Sequence, residues 1–327
     1  MILCITNQCN RRCDFCFEGA FRDGPEQMMS VEDVERICRF ARYGRAYGPG
    51  VAVMGGEPTL HPDLLRILAF LRQQNRSAKI QILTNLLCDE DILRPMTPLA
   101  IDCLVNVGGF PTYSSGEQER VLSNLSLLRE NRIFSMVWLA VTITDGEQDF
   151  GFLYDLLEAD RPKGIRGIRI GISAPGMGFA NEFPREFSPS YGAKYLEVVE
   201  RCHRIRPSLG FANECPVNMC MVPEDIVARL ERVVKNLNNP CTGNFDILPD
   251  FSTHWCFAFE GVPEMSVENI FRYQEMREVH AVLRSKAVDM DRALDVGCDS
   301  RGCSSLGCRG PCLAWRYYLA SRQAASP

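Results

Sequence analysis

Short apolar runs alternate with amphipathic stretches along the first two thirds of the chain. Ile2 to Ile5, Val51 to Met54, Lys79 to Leu83, Ile101 to Val107, Phe134 to Thr144 and Gly167 to Ser173 read as strands, several of them apolar enough to be covered on both faces. Helical spacing fills the gaps. Val31, Val34, Ile37 and Ala41 recur at that spacing behind Ser30, which forms a capping box with Asp33. His61-Pro62 opens a helix marked by Leu64, Leu65, Leu68 and Leu71, and Asp89 to Arg94, Glu117 to Glu130, Phe150 to Ala159 and Pro189 to Arg206 continue the series. Six strand-then-helix units imply a parallel sheet with right-handed crossovers. A closed eight-unit barrel takes about 250 residues, so the expectation is an α/β fold built on an open, partial (β/α)6 TIM-like barrel.

Near Pro207 the alternation stops. Residues 1–206 are therefore expected to form the barrel and 207–327 a smaller, cysteine-rich extension. Within the extension, Val222 to Leu237 and Val267 to Ala287 read as helices, Cys241 to Cys256 as a hairpin-like layout around a Pro-Asp turn, and the tail from Ala320 as frayed.

Composition narrows the class. The balance of 36 basic against 41 acidic residues leaves a net charge of -5, which argues against a general nucleic-acid surface. No run of 18 apolar residues is present, so no membrane span is expected, and the apolar start is too short for a secretory signal. The expected location is the cytoplasm. There, 16 cysteines make an implausible disulfide framework and point to metal sites instead.

Cys9, Cys13 and Cys16 stand in the spacing CxxxCxxC on a loop directly after the first strand. Three thiolates on one tight loop can hold three irons of a four-iron cluster and leave the fourth open to a non-protein ligand. A structural zinc site is the alternative, but zinc prefers four ligands in paired CxxC arrangements. Phe15 precedes the third cysteine, and Gly55-Gly56-Glu57-Pro58 follows the second strand. Together these motifs resemble the radical S-adenosylmethionine (SAM) superfamily. The resemblance implies that SAM chelates the open iron of a 4Fe-4S cluster and is cleaved by one electron to methionine and a 5′-deoxyadenosyl radical.

It further implies that Gly55, Gly56, Glu57 and Pro58 meet the amino group of SAM and that Phe15 lies near adenine. Thr84-Asn85 resembles the family's Thr-Asn-Gly, with Leu86 in place of the glycine. Asn106 on the fourth strand and Arg169 on the sixth occupy places where the family puts polar contacts to ribose and to the SAM carboxylate. In parallel α/β sheets such sites collect at the carboxyl ends of the strands.

The extension resembles the SPASM or twitch modules that carry auxiliary iron-sulfur clusters. Cys215, Cys220, Cys241, Cys256, Cys298, Cys303, Cys308 and Cys312 make eight thiols, the complement of two fully ligated 4Fe-4S clusters, so two are favoured over one. The gaps between Cys298, Cys303 and Cys308 depart from the usual spacing, and no cysteine follows Cys312. Cys4, Cys38, Cys88, Cys103 and Cys202 fall in strand or helix patterns and read as buried thiols.

The function so implied is reductive SAM cleavage, hydrogen abstraction from a substrate, and an oxidation or bond-forming modification aided by the auxiliary clusters. A non-catalytic iron-sulfur electron-transfer protein is the alternative. Expected partners are a flavodoxin- or ferredoxin-type donor or a reductase, and a small-molecule or ribosomally made peptide substrate. Met1 abuts the first strand, which tilts the expectation toward a small molecule, unless a separate protein binds a leader peptide. Tyr113, Asp145, Glu214, Asp246 and Asp250 read as loop residues within reach of a substrate, though a turn or cap role suits each.

Overall fold

The computed structural model describes residues 1–16, 24–43, 50–131, 133–159, 164–173, 189–215, 222, 224–234, 237, 243–294 and 312–324. Seven strands follow one another in parallel: β1 (Ile2–Cys4), β2 (Gly50–Met54), β3 (Lys79–Thr84), β4 (Asp102–Asn106), β5 (Met136–Ile143), β6 (Ile165–Ile172) and β7 (Gly210–Asn213). β8 (Asp246–Ile247) then pairs parallel with β1, and β9 (Thr253–His254) and β10 (Ser266–Val267) add antiparallel strands outside it. Among the described residues this is one sheet in the order β10-β9-β8-β1-β2-β3-β4-β5-β6-β7.

Helices α1 (Val31–Phe40), α2 (Leu64–Gln74), α3 (Glu90–Leu93), α4 (Ser115–Asn131), α5 (Gly151–Ala159) and α6 (Pro189–Ile205) fill the crossovers. Period-2 geometry sends alternate side chains to opposite faces. On the helix side, Leu3, Val53, Ile82 and Cys103 stand at one level of the register, all fully buried with Val34, Ile37, Ile67 and Leu68 of the helices. Ser30 caps α1 as its sequence predicts, its hydroxyl accepting from the Asp33 amide while Asp33 accepts from the Ser30 amide.

The six expected strands are all present. The sheet, however, does not end with them. β7 lies beyond Pro207 and β8 closes onto β1, so residues 207–327 contribute strands at both ends of the sheet. The hairpin expected between Cys241 and Cys256 is β8–β9. The helix expected over Val267–Ala287 begins only at Met276, as α8 (Met276–Ala293), because Ser266–Val267 is taken into the sheet and Asn269 caps a short 3-10 turn. Among the described residues of Val222–Leu237, the helix is α7 (Glu224–Leu230). The tail expected to fray from Ala320 is helical to Ala324 in α9 (Leu313–Ala324), anchored by buried Ala314 and Trp315. Among the described residues no helix is long and apolar enough to cross a membrane.

Candidate functional site

The cysteine loop leaves β1 at the carboxyl end of the sheet, and its base is held from two sides. On one side Asn7, fully buried, donates to the Pro25 carbonyl at 2.7 Å and accepts from the Gln27 amide at 2.9 Å. On the other side the Gly-Gly-Glu-Pro turn docks backbone to backbone. The Gly56 amide donates to the Thr6 carbonyl at 2.8 Å and the Glu57 amide to the Gln8 carbonyl at 2.7 Å.

Close approach explains both glycines. A Cβ on Gly55, whose φ is +152°, would stand 2.2 Å from the Thr6 oxygen, and one on Gly56 would stand 2.3 Å from the Gln8 oxygen. Neither distance is tolerated between nonbonded atoms.

The Glu57 side chain has a role that its motif does not disclose. It is buried, and its two oxygens accept from the Thr59 amide at 3.1 Å, the Thr59 hydroxyl at 2.7 Å, the Thr84 hydroxyl at 2.7 Å and the Asn85 amide at 2.7 Å. Burial pushes its pKa up, and these donors oppose that. Because every partner in this shell is a donor, the ionised form fits it. Thr84 also accepts from the Leu86 amide at 2.9 Å, so its hydroxyl is engaged within the protein between Glu57 and the backbone.

Asn85 continues the chain of contacts, donating to Asn10 at 2.7 Å, while Asn10 donates to the Leu87 carbonyl at 2.9 Å. The ends of β1, β2 and β3 are thereby joined by side chains. A third clamp comes from Arg11. Its guanidinium donates to Glu117 at 2.8 Å and to the Thr112 hydroxyl at 2.9 Å, and lies 4.2 Å over the Tyr113 ring. Tyr113 is buried near Cys13, and burial pushes its phenol up. It is part of the support of the cysteine loop. Phe15 reaches the start of the turn after β4, where a Cβ on Gly108 would stand 3.1 Å from its ring, and Asn106 accepts from the Gly108 amide at 3.1 Å.

The thiols fall into two environments. Cys9, Cys13 and Cys16 are partly exposed on the loop, whereas Cys4, Cys38, Cys88, Cys103 and Cys202 are buried, as their sequence context predicts. Burial pushes the Cys38, Cys88 and Cys202 thiols up to about 12 and the Cys103 thiol well above its ordinary value, which disfavours the thiolate that a metal needs. Among the described residues no three His, Cys, Asp or Glu side chains stand close enough to hold a single metal ion. A four-iron cluster makes a different demand, since each thiolate binds its own iron at a separate corner. Three accessible thiols on one braced loop fit that group.

Arg169 and Glu214 form a partly buried ion pair at 3.1 Å, and the Nε of Arg169 is buried with no partner. A Cβ on Gly171 would meet the Glu214 carboxylate at 2.2 Å, so that glycine makes room for the pair. Below them a cavity of about 450 Å³ opens among residues that include Gln81, Asp102, Leu104, Trp138, Arg169 and Ala212. None of Phe15, Gly55, Gly56, Glu57 or the three loop cysteines borders it.

Other expectations are relocated. Asp246 is not in a loop: it lies in β8, is buried, and both carboxylate oxygens lack partners. Asp145 and Asp250 accept from amides two residues on, the turn role expected of them. Of the eight cysteines of the extension, Cys215, Cys256 and Cys312 are described and partly buried, while Cys220, Cys241, Cys298, Cys303 and Cys308 lie outside the described residues.

Residues 3–157 match the model of the Radical SAM superfamily. A GTP 3',8-cyclase of Actinobacillus pleuropneumoniae serotype 3 (strain JL03) is 36% identical over 86 residues, 25% of this chain and 24% of that protein. A 7,8-dihydro-6-hydroxymethylpterin dimethyltransferase of Methanocaldococcus jannaschii is 32% identical over 81 residues, 25% of this chain and 16% of that protein. The match thus spans a quarter or less of these relatives.

Streptococcus suis SuiB bound to S-adenosylmethionine superposes with a TM-score of 0.66 at 16% identity, covering 94% of this chain and 71% of that one. SuiB bound to the precursor peptide SuiA gives a TM-score of 0.61 at 18% identity, covering 86% and 63%. These likenesses show the fold. The match to the Radical SAM superfamily model covers residues 3–157, a little under half of the chain.

Proposed function

We propose that this chain is an enzyme that uses Cys9, Cys13 and Cys16 to hold a 4Fe-4S cluster and cleaves SAM reductively at its fourth iron. The observation that carries the reading is the pair of backbone hydrogen bonds, Gly56 to Thr6 and Glu57 to Gln8, that fasten the Gly-Gly-Glu-Pro turn to the base of the cysteine loop. When bound, cluster and cosubstrate supply a 5′-deoxyadenosyl radical able to take a hydrogen atom from an unreactive C–H bond.

The chain's own residues orient and enclose. Glu57 braces the turn through Thr59, Thr84 and Asn85. The backbone of Gly55, Gly56 and Glu57 is the part of the turn left to face the amino group of SAM. Phe15 lies beside Gly108, within reach of a base at the ends of β1 and β4, and Asn106 stands exposed at the end of β4 as a ribose contact.

The reaction that follows is an oxidation or bond formation on a peptide or a small molecule. Residues 207–327 serve as a SPASM- or twitch-type extension with two auxiliary 4Fe-4S clusters drawn from its eight cysteines, working with a flavodoxin- or ferredoxin-type donor in the cytoplasm. That SuiB was solved with a precursor peptide favours a peptide, with a separate leader-binding protein as a further partner. The GTP 3',8-cyclase and the 7,8-dihydro-6-hydroxymethylpterin dimethyltransferase among the relatives favour a small molecule. Iron and sulfide analysis of anaerobically prepared protein tests the cluster count. Twelve irons per chain support two auxiliary clusters by the stoichiometry of three four-iron groups, and the Cys9→Ser/Cys13→Ser/Cys16→Ser variant is expected to lose four. Zinc in place of iron contradicts the proposal.

A further inference from the structure

Two glycines on neighbouring strands clear a place for one indole. Trp138 of β5, Gly167 of β6 and Gly210 of β7 stand in register. A Cβ on Gly167 would lie 2.4 Å from Trp138 Cζ3, and one on Gly210 would lie 3.0 Å from Cη2. The indole therefore lies flat across β6 and β7, where any other residue pair would hold it off. Its far side borders the cavity of about 450 Å³. Among the described residues no second ring stacks on it.

The polar groups around this platform are ordered by the register. One level nearer the strand starts stand Gln81 and Asp102, the latter buried. One level nearer the carboxyl ends stands Arg169, whose Nε is buried without a partner. Each level is two residues, roughly 7 Å along a strand, so the acceptor end and the donor end stand two levels, roughly 14 Å, apart, which a two-ring system spans with a hydrogen bond at each end.

We infer that this cavity takes a planar aromatic ring stacked on the free face of Trp138, with a hydrogen-bond donor toward Asp102 and an acceptor toward Arg169. The inference rests on the proposed function in that it names the substrate class of the same barrel. A ring so placed lies within about 7 Å of the level of Asn106, just below the ends of the strands that carry the cysteine loop. The ring can belong to an aromatic side chain of a peptide or to a free heterocycle.

The test is calorimetric titration of the anaerobically prepared full chain with N-acetyl-tryptophanamide, guanosine and N-acetyl-cyclohexylalaninamide. At least one planar probe should saturate and bind ten times or more tighter than the saturated ring; which one does separates the peptide source from the free heterocycle. Stacking on an aromatic face is worth about a factor of ten, so Trp138→Ala should lose about that much and Trp138→Phe should stay within about threefold. Gly167→Ala, which drives a methyl into the indole, should weaken binding with Trp138 still present. Equal affinity for the cyclohexyl probe, unchanged affinity in Trp138→Ala, or no saturation by either planar probe overturns the inference. Should Trp138→Ala fail to fold, the wild-type probe comparison and Trp138→Phe decide. Ring binding by a protein that never cleaves SAM defeats the proposed function alone; SAM cleavage without ring binding defeats this inference alone.

Discussion

Glu57 shows how a motif residue can act through its side chain while the motif is read for its backbone. Both carboxylate oxygens are acceptors in a shell made of donors. An amide in their place must turn an NH2 toward a hydroxyl or an N–H. Glu57→Gln is therefore expected to cost about 1.5 to 3 kcal/mol, the range for hydrogen bonds to a charge, measured by chemical denaturation. A change under about 0.5 kcal/mol contradicts that role.

Asp246 is the opposite case, a buried carboxyl whose oxygens accept no hydrogen bond, with the Met1 ammonium only partly offsetting its burial. Burial pushes its pKa well above the ordinary carboxylate value of 3.8. The folded chain then keeps a proton that the unfolded chain releases, so stability falls as pH rises from about 3.8 toward the folded pKa. Asp246→Asn removes that penalty. It should melt higher than the parent at pH 7, with the gap closing as pH is lowered toward 4. A variant less stable than the parent at pH 7 tells against this reading.

At the scale of elements, the docking of the turn on the cysteine loop depends on two absent methyl groups. Gly56→Ala places a Cβ 2.3 Å from a backbone oxygen that no rotamer change can move. The turn and loop must separate, and the expected outcome is iron content reduced at the loop cluster together with a destabilisation of about 1 to 3 kcal/mol, the cost of overpacking. Retention of full iron content would show that the two segments need not touch. The α1 cap is an independent control: Ser30→Ala should cost about 1 kcal/mol and leave iron content unchanged, since Ser30 contacts Asp33 alone among side chains.

The sequence made the strands, the α1 cap, the cysteine loop and the glycine turn legible, because each is set by local pattern. It did not make β7, β10 or the pairing of β8 with β1 legible. Asp246–Ile247 and Ser266–Val267 are two residues long, too short for any periodicity, and they are strands only because β1 and β9 supply partners. The same limit hid Arg11. Its contacts to Thr112 and Glu117 join residues about a hundred positions apart, and nothing near Arg11 in the chain announces them.

At the scale of the molecule, the carboxyl ends of the sheet carry the cysteine loop, the glycine turn, Asn106 and the Gly108 turn, while the cavity beside Trp138 runs from the strand starts up to the level of Arg169. Residues 207–327 do not stand apart from this frame, since β7 pairs with β6 and β8 pairs with β1. Truncation at residue 206 therefore strips both flanks of the six-stranded sheet and leaves β1 and β6 as unpaired edges. The expected product is insoluble or unfolded, as judged by size-exclusion chromatography and thermal melting. A soluble, cooperatively melting fragment of residues 1–206 would instead support two separable units.

Reductive cleavage of SAM is the proposed step on which the account rests, and it is read most directly by incubating the anaerobically reconstituted full chain with dithionite and SAM and quantifying 5′-deoxyadenosine and methionine by mass spectrometry. Both products should form with the wild-type chain and be absent from the Cys9→Ser/Cys13→Ser/Cys16→Ser variant. Iron-loaded, reduced wild-type protein that binds SAM and releases neither product would contradict the assignment of these three cysteines to a radical SAM centre.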